Sequence, residues 1–401
     1  MKRLDVAPNP EIRHRPGLHE KLDEAVDGAL QTNRVVGAVV LVAQDGEVVY
    51  RRAAGWADRE ARIPMREDAI FLLASLTKPI VTMALMRLVE EGRVGLDDPV
   101  TRWLPDFKPA MKDGRQPLIT IHHLLTHTAG LSYGFLEPPD GDYRRLRVSD
   151  GLDQPGLGLE ENLARIAAAP LAFSPGSAWR YSVALDVVGA IVARAAGQPL
   201  PEAVRARITD HLGMTDTAFV VKDPRRLVRH YGDASPQPVP MGEAHDVVFN
   251  GSKVTFAPRR WMDPGSYASG GAGIAGTAGD FLRFLEAVHA GARAPVGEVT
   301  LQQMRSPHVG PEAMTQGPGW GFGYGWAVLI DPAAAQSPQS PGTLQWGGAY
   351  GHSWFVDPVR RLSVVALTNT ALEGMAGAFP ASIRDAVYAG LATRDVSSPA
   401  P

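Results

Sequence analysis

Cysteine is missing altogether, which removes disulfides, thiolate nucleophiles and Cys-ligated zinc from the candidate chemistry. Long apolar runs are missing too. No stretch approaches the roughly 20 apolar residues that a membrane helix needs. Neither sign of charge is in excess: 40 Lys and Arg face 43 Asp and Glu, a net charge of −3. Nothing in that balance draws the chain to nucleic acid or to an anionic membrane. The opening MKRLDVAPNPEIRHRPGLHEKLDEAV has early basic residues but no apolar run behind them. It therefore predicts no signal peptide and a cytoplasmic protein. Repeats and heptads are absent as well. What the chain does have is bulk: 401 residues, 45% of them hydrophobic, room for a large core.

Its pattern predicts an α/β (α+β) fold. Residues 18–33 read as an amphipathic helix. The β-rich runs 36–42 and 47–53 flank Gln44-Asp45-Gly46, a hairpin signal. Helical patterns follow at 76–91 (stopping at Gly92), 120–128 (up to Gly130), 160–168, 183–196 (ending at Gly197), 201–212 and 278–291. Pro/Gly-rich loops occupy 132–158 and 234–268. Strands return at 324–330, 343–347, 352–356 and 363–368, and a helix at 373–391 closes the chain. The tail DVSSPAP (395–401) reads as disordered. An antiparallel sheet is thus expected from 1–73 together with 285–401. A mostly helical insertion spans 74–284, with the site in the groove between.

Ser75-Leu76-Thr77-Lys78 is the sole Ser-x-x-Lys of the chain. Ser75 follows the apolar run 70–74 and opens a long helix, so Lys78 lies on its face within reach of the hydroxyl. Free N–H groups and the positive dipole end belong to the same helix start. A serine hydroxyl is a weak nucleophile until a base takes its proton. Lysine serves only if its pKa falls from about 10.4 toward neutrality, which burial can achieve. Tyr181-Ser182 stands after Pro175-Gly176 and just before the helix 183–196, where a phenol can project into a cleft. Trp346-Gly347-Gly348-Ala349 ends a predicted strand, and its glycines permit close approach of a ligand. A backbone N–H from that edge, with that of Ser75, would make an oxyanion hole.

In order and spacing, these elements resemble the class C β-lactamase and penicillin-binding-protein superfamily. Within it, the chain is most similar to the family VIII carboxylesterases of EstB type. The likeness runs through REDAIFLLASLTKP (67–79), LLTHTAGL (124–131), SPGSAWRYSVALDVVGAIV (174–192), SGGAGIAGTAGDFLRF (269–284), GWGFGYGWAV (319–328) and QWGGAYGHSWFVDP (345–358). The resemblance implies a β-lactamase/transpeptidase-like fold. It implies Ser75 as the acylated serine, Lys78 as the motif lysine and Tyr181 as the proton-transferring tyrosine. Trp346 matches the first position of the Lys-Thr-Gly element, and Ala349 the residue whose amide completes the oxyanion hole. Val183 stands where lactamases commonly carry Asn, and Trp346-Gly347 where they carry Lys-Thr. Trp and Gly side chains form no salt bridge with a β-lactam carboxylate, so a tryptophan wall fits a neutral or apolar group better. The implied activity is hydrolysis of short-chain or neutral carboxylic esters through a Ser75 acyl-enzyme, with no metal or cofactor. Acyl transfer, or weak β-lactamase or penicillin-binding activity, is the alternative. Whether Lys78 or Tyr181 is the general base stays open, because the two would titrate as a pair.

Substrate contacts are expected from Trp346, Gly347, Gly348, Tyr133, Val183 and His352; for His352 a structural role is an equal reading. Three further patterns read as decoys. Gly130-Leu131-Ser132-Tyr133-Gly134 matches Gly-x-Ser-x-Gly, but a nucleophile elbow needs a strand before it and a helix after. Here a helical segment precedes, with Gly130 as its expected C-cap. His123 and His127 are one helical turn apart beside His122, without the glutamate of His-Glu-x-x-His. Asn250-Gly251-Ser252 matches a glycosylation pattern of little meaning in a cytoplasmic chain.

Overall fold

A computed structural model describes residues 15–291 and 293–392. The opening residues and the DVSSPAP tail lie outside the described residues. At the centre is an eight-stranded sheet in the spatial order Trp320–Phe322, Ala327–Leu329, Leu344–Gly348, His352–Asp357, Leu362–Thr368, Gly37–Gln44, Glu47–Asp58, Ile63–Pro64. Every neighbouring pair is antiparallel. The first hairpin closes on Asp45-Gly46, whose φ angles of 57° and 81° match the left-handed turn that a right-twisted hairpin prefers. The two ends of the chain meet where Ala38 pairs with Thr368 and Gln44 with Leu362.

Successive strand residues face opposite layers. Val40, Val42, Val364 and Ala366 point outward, to a core shared with Leu18, Leu22 and Val26 of the helix Pro16–Gln31 and Phe379, Ile383 and Val387 of the helix Ala378–Ala392. Val39, Leu41, Val365 and Leu367 point inward, to the larger core with Phe281, Phe284 and Leu285 of the helix Ala278–Ala290. Thr77–Glu90 is buried on nearly every side and packs on the helix Ala184–Ala196. A side chain such as Leu85 contributes about 1.5–3 kcal/mol by its burial there. No helix among the described residues is long and apolar enough to cross a membrane.

Several elements differ from their sequence pattern. The helix expected at 120–128 is Ile121–Leu125 only. It stops because His127 adopts φ 57°, and Gly130 is no C-cap. Gly130 has φ 83°, and a Cβ there would meet Phe173 O at 2.3 Å. The closing helix breaks at Gly377 into Glu373–Ala376 and Ala378–Ala392. The helix at 201–212 passes through a π-type segment, Arg205–Thr209. The strand at 324–330 shrinks to Ala327–Leu329, after Gly325 turns at φ 98°. Trp320–Phe322, the helix Glu298–Arg305 and a hairpin of His245–Phe249 with Ser252–Phe256 had no counterpart in the pattern. The helix Ala278–Ala290 runs across the 284/285 boundary between the two expected parts.

Candidate active site

Ser75 lies in the 3-10 turn Ala74–Leu76 that feeds the helix Thr77–Glu90. Ala74 enters that turn at φ 46°, a left-handed conformation that costs an alanine about 1–2 kcal/mol. Stitching on both sides holds it. Phe71 and Leu72 pair with Gly276 and Ala275, Leu73 N–H donates to Ile274 O (2.8 Å), and Ile274 N–H donates to Thr77 Oγ1 (3.0 Å). Lys78 is only 1% exposed. Its Nζ donates to Ser75 Oγ (2.9 Å) and to Gly271 O (2.8 Å). Tyr181 Oη donates to the same Ser75 Oγ at 2.7 Å, while Trp346 Nε1 donates to Tyr181 Oη at 3.4 Å. Lys78 Nζ also stands 4.7 Å above the centre of the Tyr181 ring, a cation–π distance. The expected trio therefore converges on one oxygen, across about a hundred residues of chain.

Three supporting groups had no place in the motif reading. Asp186 is buried and accepts from Ser269 Oγ (2.6 Å) and Gly271 N–H (3.4 Å). The Gly271 segment is thus gripped at its N–H by a carboxyl and at its C=O by Lys78. Burial pushes the Asp186 carboxyl above its usual range; the Ser269 hydrogen bond and the Lys78 charge pull back. His127 stacks edge-on against Tyr181 at 5.1 Å, and its Nδ1 meets Ser182 Oγ at 3.1 Å. Burial, then the Lys78 charge, holds His127 well below the usual histidine range, so it is neutral. Asp150 lines the cavity and is pushed up to about 8, chiefly by burial and then by Asp153. An Asp inside the apolar run ALDVVGAIV is the one sequence signal that could have found Asp186.

The strand side completes the site. A Cβ on Gly348 would meet Leu73 O at 2.6 Å, so glycine lets the strand end approach the Ser75 turn. Ala349 follows, and its N–H donates to no acceptor among the described residues. Ser75, Tyr133, Tyr181, Trp346, Gly347 and Ala349 line one cavity of about 610 Å³, walled further by Phe135, Trp179 and Phe249.

Val183, Gly348 and His352, expected among the substrate contacts, stand behind that lining instead. Val183 is buried, with its N–H on Ser132 O (3.3 Å). His352 is fully buried, its Nε2 2.9 Å from Leu72 O, and burial lowers it to about 4. Ser132 is buried as well, its Oγ donating to Tyr133 O. The three neighbouring histidines bond to separate partners. His122 meets Tyr324 Oη (2.8 Å), His123 caps its own helix through Thr120, and His127 faces Tyr181. Among the described residues, no group of three His, Asp or Glu side chains is arranged to hold a metal ion.

The Beta-lactamase family profile matches residues 22–387. Esterase EstB of Burkholderia gladioli is 55% identical over 375 residues, covering 93% of this chain and 95% of that protein. Lovastatin esterase of Penicillium rubens is 29% identical over 88% of this chain and 93% of its own. Among solved structures, EstCE1, a hydrolase with promiscuous acyltransferase activity, superimposes with a TM-score of 0.91. It is 46% identical, and the match covers 93% of this chain and 98% of that one. Sequence motif, sheet order and overall similarity agree that the chain belongs to the Beta-lactamase family.

Proposed function

We propose that the protein is a serine carboxylesterase that hydrolyses short-chain or neutral esters in the cytoplasm through a Ser75 acyl-enzyme. The observation that carries this reading is the doubly contacted Ser75 Oγ, held by Lys78 and Tyr181 on the wall of an aromatic cavity. Ser75 attacks the ester carbonyl, and its proton passes to the Lys78–Tyr181 pair. The N–H groups of Ser75 and Ala349 receive the oxyanion, a contribution of about 10²–10³ in rate per donor. The pair returns the proton to the leaving alcohol, then takes one from the water that releases the acid. Trp346 puts an indole where a lactamase carries a cation, which disfavours a carboxylate beside the reacting carbonyl. The esterase at 55% identity and the hydrolase at 46% support the same chemistry.

Acyl transfer is a second reading, favoured by the roomy, aromatic-walled cavity and by the promiscuous acyltransferase activity of EstCE1. An alcohol then replaces water in the second step. Turnover of p-nitrophenyl acetate and butyrate, with a chromogenic cephalosporin in parallel and with added alcohol, tests both readings. The expected result is fast ester hydrolysis, lost in Ser75→Ala, with slow or no cephalosporin opening. Cephalosporin turnover without ester turnover overturns the reading. Ester product in place of acid when alcohol is present favours the second.

A further inference from the structure

The cavity does not stop at Ser75. Strand alternation separates its walls into two sets. Trp346 pairs with Trp354 on the inner face of the sheet. Gly347, paired with Ser353, and Gln345, paired with Phe355, belong to the outer face. Members of both sets line the same cavity. It therefore reaches both faces of the sheet at the strand Leu344–Gly348, with Arg384 of the helix Ala378–Ala392 on the outer side. At Gly347 a Cβ would come 2.6 Å from Met375 Cγ.

The outer side of the lining carries donors. Gln345 Oε1 is taken by Gln339 Nε2 (3.3 Å), which leaves the Gln345 amide N–H groups without a partner among the described residues. Arg384 Nε donates to Asp385 Oδ1 (2.8 Å), and its two terminal nitrogens have no partner among the described residues. Among the described residues, Arg180 and Arg384 are the cations of the lining, and Asp150 is its one carboxylate. Donors and charge both call for a ligand group that is an anionic acceptor.

We propose that the outer side of the cavity seats the far end of an acyl chain that ends in a carboxylate, held by Arg384 and Gln345. The favoured substrates are then half-esters of medium-length dicarboxylic acids, an inference that rests on the esterase reading above. The reaction balances as ordinary hydrolysis. The Ser75 Oγ–acyl bond forms as the alcohol leaves with a proton, and water then breaks it, leaving a dicarboxylate. Trp346 and Arg384 sort anions by position: a carboxylate next to the reacting carbonyl finds an indole, whereas one at the chain's far end finds a guanidinium.

The test compares kcat/KM for monomethyl esters of succinate through sebacate with methyl alkanoates of equal length. It uses the full chain and its Arg384→Gln and Arg180→Gln variants. Wild type is expected to prefer the half-ester most strongly at one chain length. Arg384→Gln should cut that preference about 10- to 100-fold there, the scale of a charge-assisted hydrogen bond. Arg180→Gln should lower it less, and evenly across lengths. A flat length profile overturns the proposal, as does an equal loss in both variants, which would mean general attraction by positive charge. If wild type turns over neither ester class, the esterase reading itself fails, and that result is distinct from a neutral ester turning over without any half-ester preference.

Discussion

Ser75 and Ser132 both sit in short motifs of serine hydrolases, yet their hydroxyls meet opposite surroundings. Ser75 stands at a strained turn before a buried helix, lines the cavity, and has Lys78 and Tyr181 on its Oγ. Ser132 lies in a loop, is 1% exposed, and its Oγ reaches only the carbonyl of the next residue, at 3.3 Å. One region carries groups able to move a proton; the other carries wall. The loop's own contribution is Tyr133, whose ring packs 5.0 Å from that of Tyr181. A motif thus acquires chemistry from the buried groups brought to it, which the spacing of its own letters does not supply.

The largest expected break in that comparison is Ser75→Ala, which should lower kcat for p-nitrophenyl butyrate by about 10⁴-fold or more. Undiminished turnover would move the nucleophile elsewhere. Next comes the pair on Ser75 Oγ. Tyr181→Phe and Lys78→Met should each cost about 10²–10⁴ in kcat. If the two act as one proton-transfer unit, the double variant loses little more than the worse single one. Fully multiplicative losses would mean that they act in separate steps.

How much of this was legible follows from how local each cause is. The hairpin on Asp45-Gly46 and the helix ending at Gly197 were readable because their signals sit within a few residues. The hairpin His245–Phe249/Ser252–Phe256 had its signal too. Asn250 and Gly251 turn at φ 49° and 80°, the pattern that a two-residue hairpin prefers. The surrounding Pro/Gly-rich composition reads as loop and masks it. Trp320–Phe322 is three residues long and flanked by glycines, too short to show alternation. In the site, Ser75 and Lys78 are one helical turn apart and announce each other. The Gly271 carbonyl that holds Lys78 is 193 residues away, and Asp186 meets Ser269 across 83. No periodicity predicts such pairs; only the packed sheet and helices create them. Adjacency in sequence to the site also says little about burial: Val183 keeps its side chain in the core behind the lining, and His352 takes the structural one of its two readings there.

The loop also holds a buried carboxyl whose proton is bound unusually tightly. Asp150 is pushed up to about 8, by burial first and by Asp153 second, while its Oδ1 accepts Leu152 N–H. The unfolded chain releases this proton near pH 4, whereas the folded chain keeps it to about pH 8. The folded state therefore binds more protons across that window, and its stability falls as pH rises through it. Asp150→Asn retains the acceptor for Leu152 and removes the titration. It should raise stability at pH 8–9 by about 1–2 kcal/mol relative to wild type, discounted for the partial exposure of the group, and by little at pH 4. Thermal melting at the two pH values reads the difference. Equal shifts at both would tie the gain to packing, with no share from the proton.

Ser132→Ala is the smallest expected effect and the sharpest control on the comparison. The variant removes one long hydrogen bond to an adjacent carbonyl, while Ser132 O still accepts Val183 N–H at 3.3 Å. Loss of such a bond costs up to about 1 kcal/mol of stability. The hydroxyl lies outside the cavity lining, so kcat and KM should stay within about twofold of wild type. A melting temperature lowered by a few degrees with unchanged kinetics would fix Ser132 as part of the wall behind Tyr133. A loss of kcat comparable to that of Ser75→Ala would reverse the assignment of the two motifs, because burial and a carbonyl neighbour would then have been compatible with a reacting hydroxyl.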